Sequence, residues 1–236
     1  MARPLPLRTD FDRTRESAFG YACGGCSRCC HGKAIPLNPY EVARIAAHHG
    51  LSTTEAIARF TTDCGAALAS REDGGCVFLD SAKGCTIHAS RPLACRLYPL
   101  GRHITARGEE KFAEVVPHPE TEGVYGGPGT VADYLAAQGA GPYIAATDRY
   151  LELFRRMLKT LSQRDDLVEA CNDASRLVKT SPAEVDASML DVDAVVSRWC
   201  KERGLAVPTD VEARVALHIE AVEAELEALG ERDTTT

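Results

Sequence analysis

The residues best equipped for chemistry are ten cysteines, eight of them from Cys23 to Cys95 and seven of those, all but Cys64, in two clusters. Four form one run, Cys23-x-x-Cys26-x-x-Cys29-Cys30. Two residues between thiols let both sulfurs turn onto one ion, forming a metal knuckle. Three more follow at Cys76, Cys85 and Cys95. Distant cysteines converging on a knuckle build closed four-thiolate zinc and iron–sulfur sites. Soft thiolates select such centres over magnesium or calcium. Seven thiols are too many for one tetrahedral ion. Adjacent Cys29 and Cys30, if extended, would point to opposite sides and not serve the same ion easily. Two metal sites, a cluster with bridging thiolates, and a four-cysteine cluster with spare thiols all stay open. Four thiolates around one zinc ion leave two surplus negative charges, and Arg28, Lys33, Arg91 and Arg96 are close enough in sequence to offset them.

Other reactive residues carry weaker signals. His31 and His88 flank ligand cysteines and read as neighbours of the site more readily than as ligands. His48-His49 closes a helix, where imidazolium suits the dipole. Cys64, Cys171 and Cys200 lack partners at ligand spacing and read as small apolar core residues. Gly126-Gly127-Pro128-Gly129 lacks the G-x-G-x-x-G pattern and reads as a turn. Tyr98-Pro99 is expected to shield the site.

The elements that must hold these cysteines are short. Glycines and the lack of periodicity make YACGGCSRCCHGK a loop. Residues 34–37 are a short strand candidate. Asn38, Pro39 and Glu41 predict a capped helix that ends at Gly50. Ser52 predicts a second helix through Phe60. Residues 76–79 and 85–88 flank the turn 80–84 and predict a β-hairpin. Ser90 and Pro92 predict a short helix carrying Cys95. Strands are expected near 102–105 and 111–116, and Thr130 is the expected N-cap of a helix. Beyond it, Tyr143, Thr147, Tyr150, Phe154, Met157, Leu158 and Leu161 share one helical face. So do Val211, Val215, Ile219, Val222, Leu226 and Leu229. Two shorter helices are expected near 165–179 and 188–203. The class is α+β: a small cysteine-rich metal-binding part with short hairpins, followed by an antiparallel helical part. The expected division is a flexible lead-in over 1–20, a cysteine-cluster domain over 21–138 and a helical part over 139–236.

Composition narrows the function. The 236 residues are 44% hydrophobic and 26% charged, enough for a folded core. Residues 164–236 hold 8 Lys+Arg against 17 Asp+Glu, so this acidic end would repel phosphate backbones and nucleic acid is not an expected partner. No apolar run approaches the ~18 residues of a membrane span, and no secretory h-region forms before charges intervene. The expected location is cytoplasmic, where clustered cysteines serve as metal ligands or redox groups rather than disulfides.

CGGCSRCC, NPYEVARIAAHHGLS, GGCVFLD with GCTIH, and RPLACRLYPLG together resemble the CxxCxxCC cysteine-cluster family, described as zinc- or iron-chelating domains. The resemblance runs from Cys23 to about Gln138. It implies that Cys23, Cys26, Cys29, Cys30, Cys76, Cys85 and Cys95 form a metal centre holding zinc, or iron as in a 4Fe-4S cluster. Many relatives have another cysteine before a Gly-rich segment. Here that region reads VVPHPETEGVYGGPGT, so either His118 substitutes or the site has one ligand fewer. Bacterial flagellin lysine methylases are similar in carrying such a cluster, of iron–sulfur type. Three functions are therefore expected alternatives: a metal-cluster protein, a cluster-dependent enzyme of redox or S-adenosylmethionine-dependent chemistry, and metal buffering or delivery. The metal is expected to supply much of the folding energy of a part with little core, so Cys26→Ser should unfold it. The C-terminal helices are expected to offer a face to a protein partner or a second copy.

Overall fold

The computed structural model describes residues 10–105, 107–162 and 190–232. Cys171 and the helix expected near 165–179 lie outside the described residues, as do the first nine residues of the expected lead-in. The chain divides into two compact units, one of residues up to 37 with 60–144, the other of 38–59 with the residues from 145 onward.

The first unit is built from antiparallel strand pairs. β1 (Tyr21–Ala22) pairs with β8 (Val124–Tyr125), and β2 (Thr61–Thr62) with β3 (Ala67–Leu68). β4 (Leu79–Asp80) pairs with β5 (Gly84–Cys85), and β6 (Leu100–Ile104) with β7 (Glu110–Glu114). The β4–β5 hairpin is shorter than its sequence suggests. The Asp80 carboxylate accepts from the amides of Ala82 and Lys83, closing the turn early, and past Cys85 the chain bends into a 3₁₀ turn at His88–Ser90. Residues 34–37 make only the bridge of Pro36 to Ala67 in place of a strand. Residues 10–20 are tied down by bridges of Arg13 to Phe112 and Ala18 to Thr130, with Phe19 buried. Gly24 sits where two backbones touch, since a Cβ there would lie 2.5 Å from the Glu122 carbonyl oxygen.

Two short helices complete this unit. α3 (Leu93–Leu97) carries Cys95. α4 (Val131–Ala137) opens on a capping box in which Thr130 accepts from the Asp133 amide and Asp133 accepts in return. Phe19, Phe78, Ile87, Leu93, Leu97, Phe112, Val131 and Leu135 are buried here. The cysteine-rich part therefore has an apolar core of its own, contrary to the expectation that it had little.

The second unit is helical. α1 (Pro39–His49) shows the expected Asn38–Glu41 capping box and ends on Gly50 in the left-handed region. α2 (Thr53–Phe60) opens where Ser52 accepts from the Glu55 amide. α5 (Gly141–Ser162) passes from the first unit into the second. α6 (Val192–Arg203) and α7 (Val211–Arg232) follow. Of the stripe expected on α7, Val215, Ile219, Val222 and Leu226 are buried and Val211 is half-buried, while the Leu229 side chain lies outside the described residues. Tyr143 and Tyr150 of α5 are buried too, but Leu153, outside the expected stripe, is buried where Phe154 is not. The α+β class stands, but the helices are not antiparallel as expected. Tyr150 meets His218 and Arg156 meets Glu223; Asp193 meets Arg214 and Arg198 meets Glu225. These pairs ascend together, so α5 and α6 each run in the same sense as α7. The seven-residue link between α6 and α7 is long enough to return along a twelve-residue helix.

Candidate metal centre

The knuckle is shaped by one left-handed residue. Ser27, at φ 58°, turns the chain into a 3₁₀ turn over Arg28–Cys30, closed by the Cys30 amide donating to the Ser27 carbonyl at 2.9 Å. Upstream, the Gly25 amide donates to Cys23 Sγ at 3.4 Å. The turn also corrects the expectation for adjacent cysteines. Cys29 and Cys30 are not extended, and their sulfurs lie 4.0 Å apart. Two thiolates on one zinc at about 2.3 Å would be roughly 3.8 Å apart, so this pair is within reach of a single ion.

The second cysteine stretch is fastened directly to the first. Cys76 donates its amide to the Cys30 carbonyl at 2.8 Å, Gly32 donates to Gly74 at 3.0 Å, and His31 bridges Gly75. Cys85 ends β5 and Cys95 lies on α3.

These elements surround a cavity of about 440 Å³ lined by Cys23, Cys29, Cys30, Cys76, Cys85 and Cys95. Cys26, the remaining expected ligand, is half-buried and does not line it. All seven thiols are free, as are Cys64 and Cys200. Cys200 is buried as expected, with its thiol near the Ala206 carbonyl. Cys64 is not a core residue: it is exposed at a strained turn with φ 56°. Among the described residues no group of three or more His, Cys, Asp or Glu side chains stands as a ready-made ion site. The thiols thus form a cavity wall rather than a finished tetrahedron. The donor set itself fits a zinc or iron centre, being all sulfur, unpaired and gathered from both stretches.

The histidines fall mainly outside. His31 is exposed, with Nδ1 3.3 Å from the Ser27 carbonyl. His118 accepts from the Glu120 amide and is not on the cavity wall. His88 does reach the wall, but is exposed and faces Arg91 at 3.1 Å.

Burial raises the Cys76 and Cys85 thiols above their usual range and pushes Cys95 up to about 12. Cys29 is lowered by the hydrogen bond with Cys30, helped by the positive charge of Lys33, while Cys30 is raised by the same contact. Tyrosines close one side: Tyr21, Tyr98 and Tyr134 line the cavity, and Tyr134 donates to the Tyr98 carbonyl at 2.5 Å. The expected shielding role of Tyr98 agrees with this position.

Sequence reasoning missed Arg96 as a structural residue. It is 6% exposed and donates to the carbonyls of Arg91, Ala89 and Gln138 and to the Tyr143 hydroxyl. Its ring contact with Tyr143, at 4.0 Å, completes the enclosure. The only sequence signal was its position beside Cys95, which suggested a counter-charge.

Residues 22–117 match the CxxCxxCC family model, described as a "putative zinc- or iron-chelating domain". The match covers the cysteines from Cys23 to Cys95 and ends before His118. Comparisons with curated proteins and with solved structures gave no match. The family description is of a metal-chelating domain, with zinc or iron as the metal. Among the described residues no helix is long and apolar enough to cross a membrane.

Proposed function

We propose that the domain over residues 22–117 holds a thiolate-ligated centre, and that a multinuclear iron–sulfur cluster fits it better than a lone zinc ion. The observation that carries this reading is the gathering of six thiols, from both cysteine stretches, on the wall of one cavity. The cavity, about 440 Å³ and reaching the surface on the knuckle side, has room for more than one ion. Cys23, Cys29, Cys30, Cys76, Cys85 and Cys95 supply the ligands, with Cys26 beside them on the knuckle loop. Loading draws the thiols inward from the wall. The loop can follow, because a Cβ at Gly25 would meet nothing within 4 Å and the knuckle side of the cavity is at the surface. Free thiols suit a reducing compartment, so we place the protein in the cytoplasm.

Anaerobic purification with elemental analysis and visible absorption tests this. Iron and sulfide in equal amounts, with broad visible absorption, support the cluster. One zinc per chain and no colour supports the mononuclear site. A metal-free protein that takes up neither on reconstitution removes the reading.

A further inference from the structure

The charge around the cavity is one-sided. Its described lining includes Lys33, Lys83, His88 and Arg91 but no aspartate or glutamate. Most basic groups near the cysteines are already engaged. Arg28 is exposed and pairs with Glu120 at 3.2 Å. Arg91 donates to the His88 carbonyl and to Gln138 Oε1. Arg96 is saturated by three carbonyls and a hydroxyl. Lys83 is exposed at the hairpin tip.

Lys33 differs from all of these. Its ammonium lies 3.7 Å from the centroid of the Tyr98 ring, and among the described residues it has no carboxylate or hydrogen-bond partner. It is half-buried and shares the cavity wall with Cys29, Cys30 and Cys95, thiols from both cysteine stretches. A partly desolvated ammonium without a partner is costly unless an anion faces it. Four thiolates on zinc, or on a cluster of charge +2, leave such an anion with a net charge of −2.

We propose that Lys33 is the counter-ion of the metal centre: its ammonium, held over Tyr98, holds the thiolates of both stretches together and sets how tightly the metal is retained. This rests on the thiolate centre proposed above. Lys33 acts through the sulfurs and is a positioning residue, not a ligand. The chemistry also explains why a lysine suits the place. A compact point charge on a flexible stem can follow the sulfurs as they close.

The test uses the full chain with Lys33→Met, Lys33→Gln and Lys33→Arg. Each is loaded beside the wild type and challenged with a chelator of known affinity, and thermal unfolding is measured without metal. We expect Lys33→Met and Lys33→Gln to lose about ten- to a hundredfold in metal affinity. Lys33→Arg should recover to within a few-fold, and the metal-free unfolding midpoints should coincide. Metal retention in Lys33→Met equal to wild type overturns the proposal while leaving the metal centre intact. So does a Lys33→Arg variant as weak as Lys33→Met, or failure of both neutral variants to fold. A wild type that retains no metal removes the centre itself, and this proposal with it.

Discussion

The amide of Cys76 donates to the carbonyl of Cys30 at 2.8 Å, and this bond joins the two cysteine stretches through backbone alone. The neighbouring bond of Gly32 to Gly74 and the His31–Gly75 bridge extend the joint. Ile87, Leu93 and Phe78 are buried in the same unit, so we predict that its assembly does not depend on metal–sulfur bonds. A metal would then tighten a wall that already exists. We predict that chelation leaves the Cys76 amide protected from hydrogen exchange, while the Gly25 amide, bonded only to Cys23 Sγ, loses protection. Loss of protection at both positions on chelation would mean that metal assembles the fold.

The same geometry ranks the cysteines. Cys30, Cys76 and Cys95 line the cavity from the knuckle, the joint and α3, whereas Cys26 does not line it. Changing any of the first three to serine is expected to remove most of the bound metal. Cys26→Ser should stay folded and keep more metal than the other three, which replaces the expectation that it unfolds. Metal content per chain, measured after identical reconstitution, checks the ranking. Equal losses from all four would show that the loop turns Cys26 fully inward.

Local signals were readable in the sequence because they act within a few residues. Asn38 with Glu41, and Thr130 with Asp133, announced α1 and α4 by side chains that bond their own neighbours. The cysteine spacing announced the family match for the same reason. Contacts made across long sequence separations were not readable. That Arg96 would reach Gln138 and Tyr143, forty or more positions away, depends on packing that no local pattern encodes. The Cys29–Cys30 approach was misjudged because extended backbone was assumed, and Ser27 at φ 58° gives no sequence warning. The shared sense of α5 and α7 likewise follows from where Tyr150 meets His218, not from either helix alone.

Metal loading should depend steeply on pH. Cys76, Cys85 and Cys95 are raised by burial, Cys95 to about 12, so without metal they hold their protons at neutral pH. Every thiol that ligates must release its proton, and each released proton adds about tenfold in apparent affinity per pH unit. The sign follows: acidification restores the competing protons and weakens binding, and raising the pH strengthens it. We expect at least about a hundredfold change per unit between pH 6 and 8, from at least two of these groups. Competition titrations across that range measure the slope, and a flat profile would mean that the raised thiols are not ligands.

Arg96 tests how the cavity wall is held. Its guanidinium ties the Ala89 and Arg91 carbonyls to the Gln138 carbonyl at the end of α4. Arg96→Met fills much of the same volume but leaves those three carbonyls and the Tyr143 hydroxyl without their donor. A buried acceptor stripped of its partner costs about 1–3 kcal/mol, and relaxation lets some of them find water. A loss of about 3 kcal/mol in unfolding free energy is expected for the metal-free protein. Arg96→Lys should recover only part, since one ammonium cannot span donors fanned in a plane. Denaturant unfolding of the metal-free variants gives both numbers. Because the residue acts on the wall and not on the sulfurs, metal affinity should fall only as far as the folded fraction falls. A variant that keeps its stability but releases metal would instead make Arg96 a charge partner of the centre.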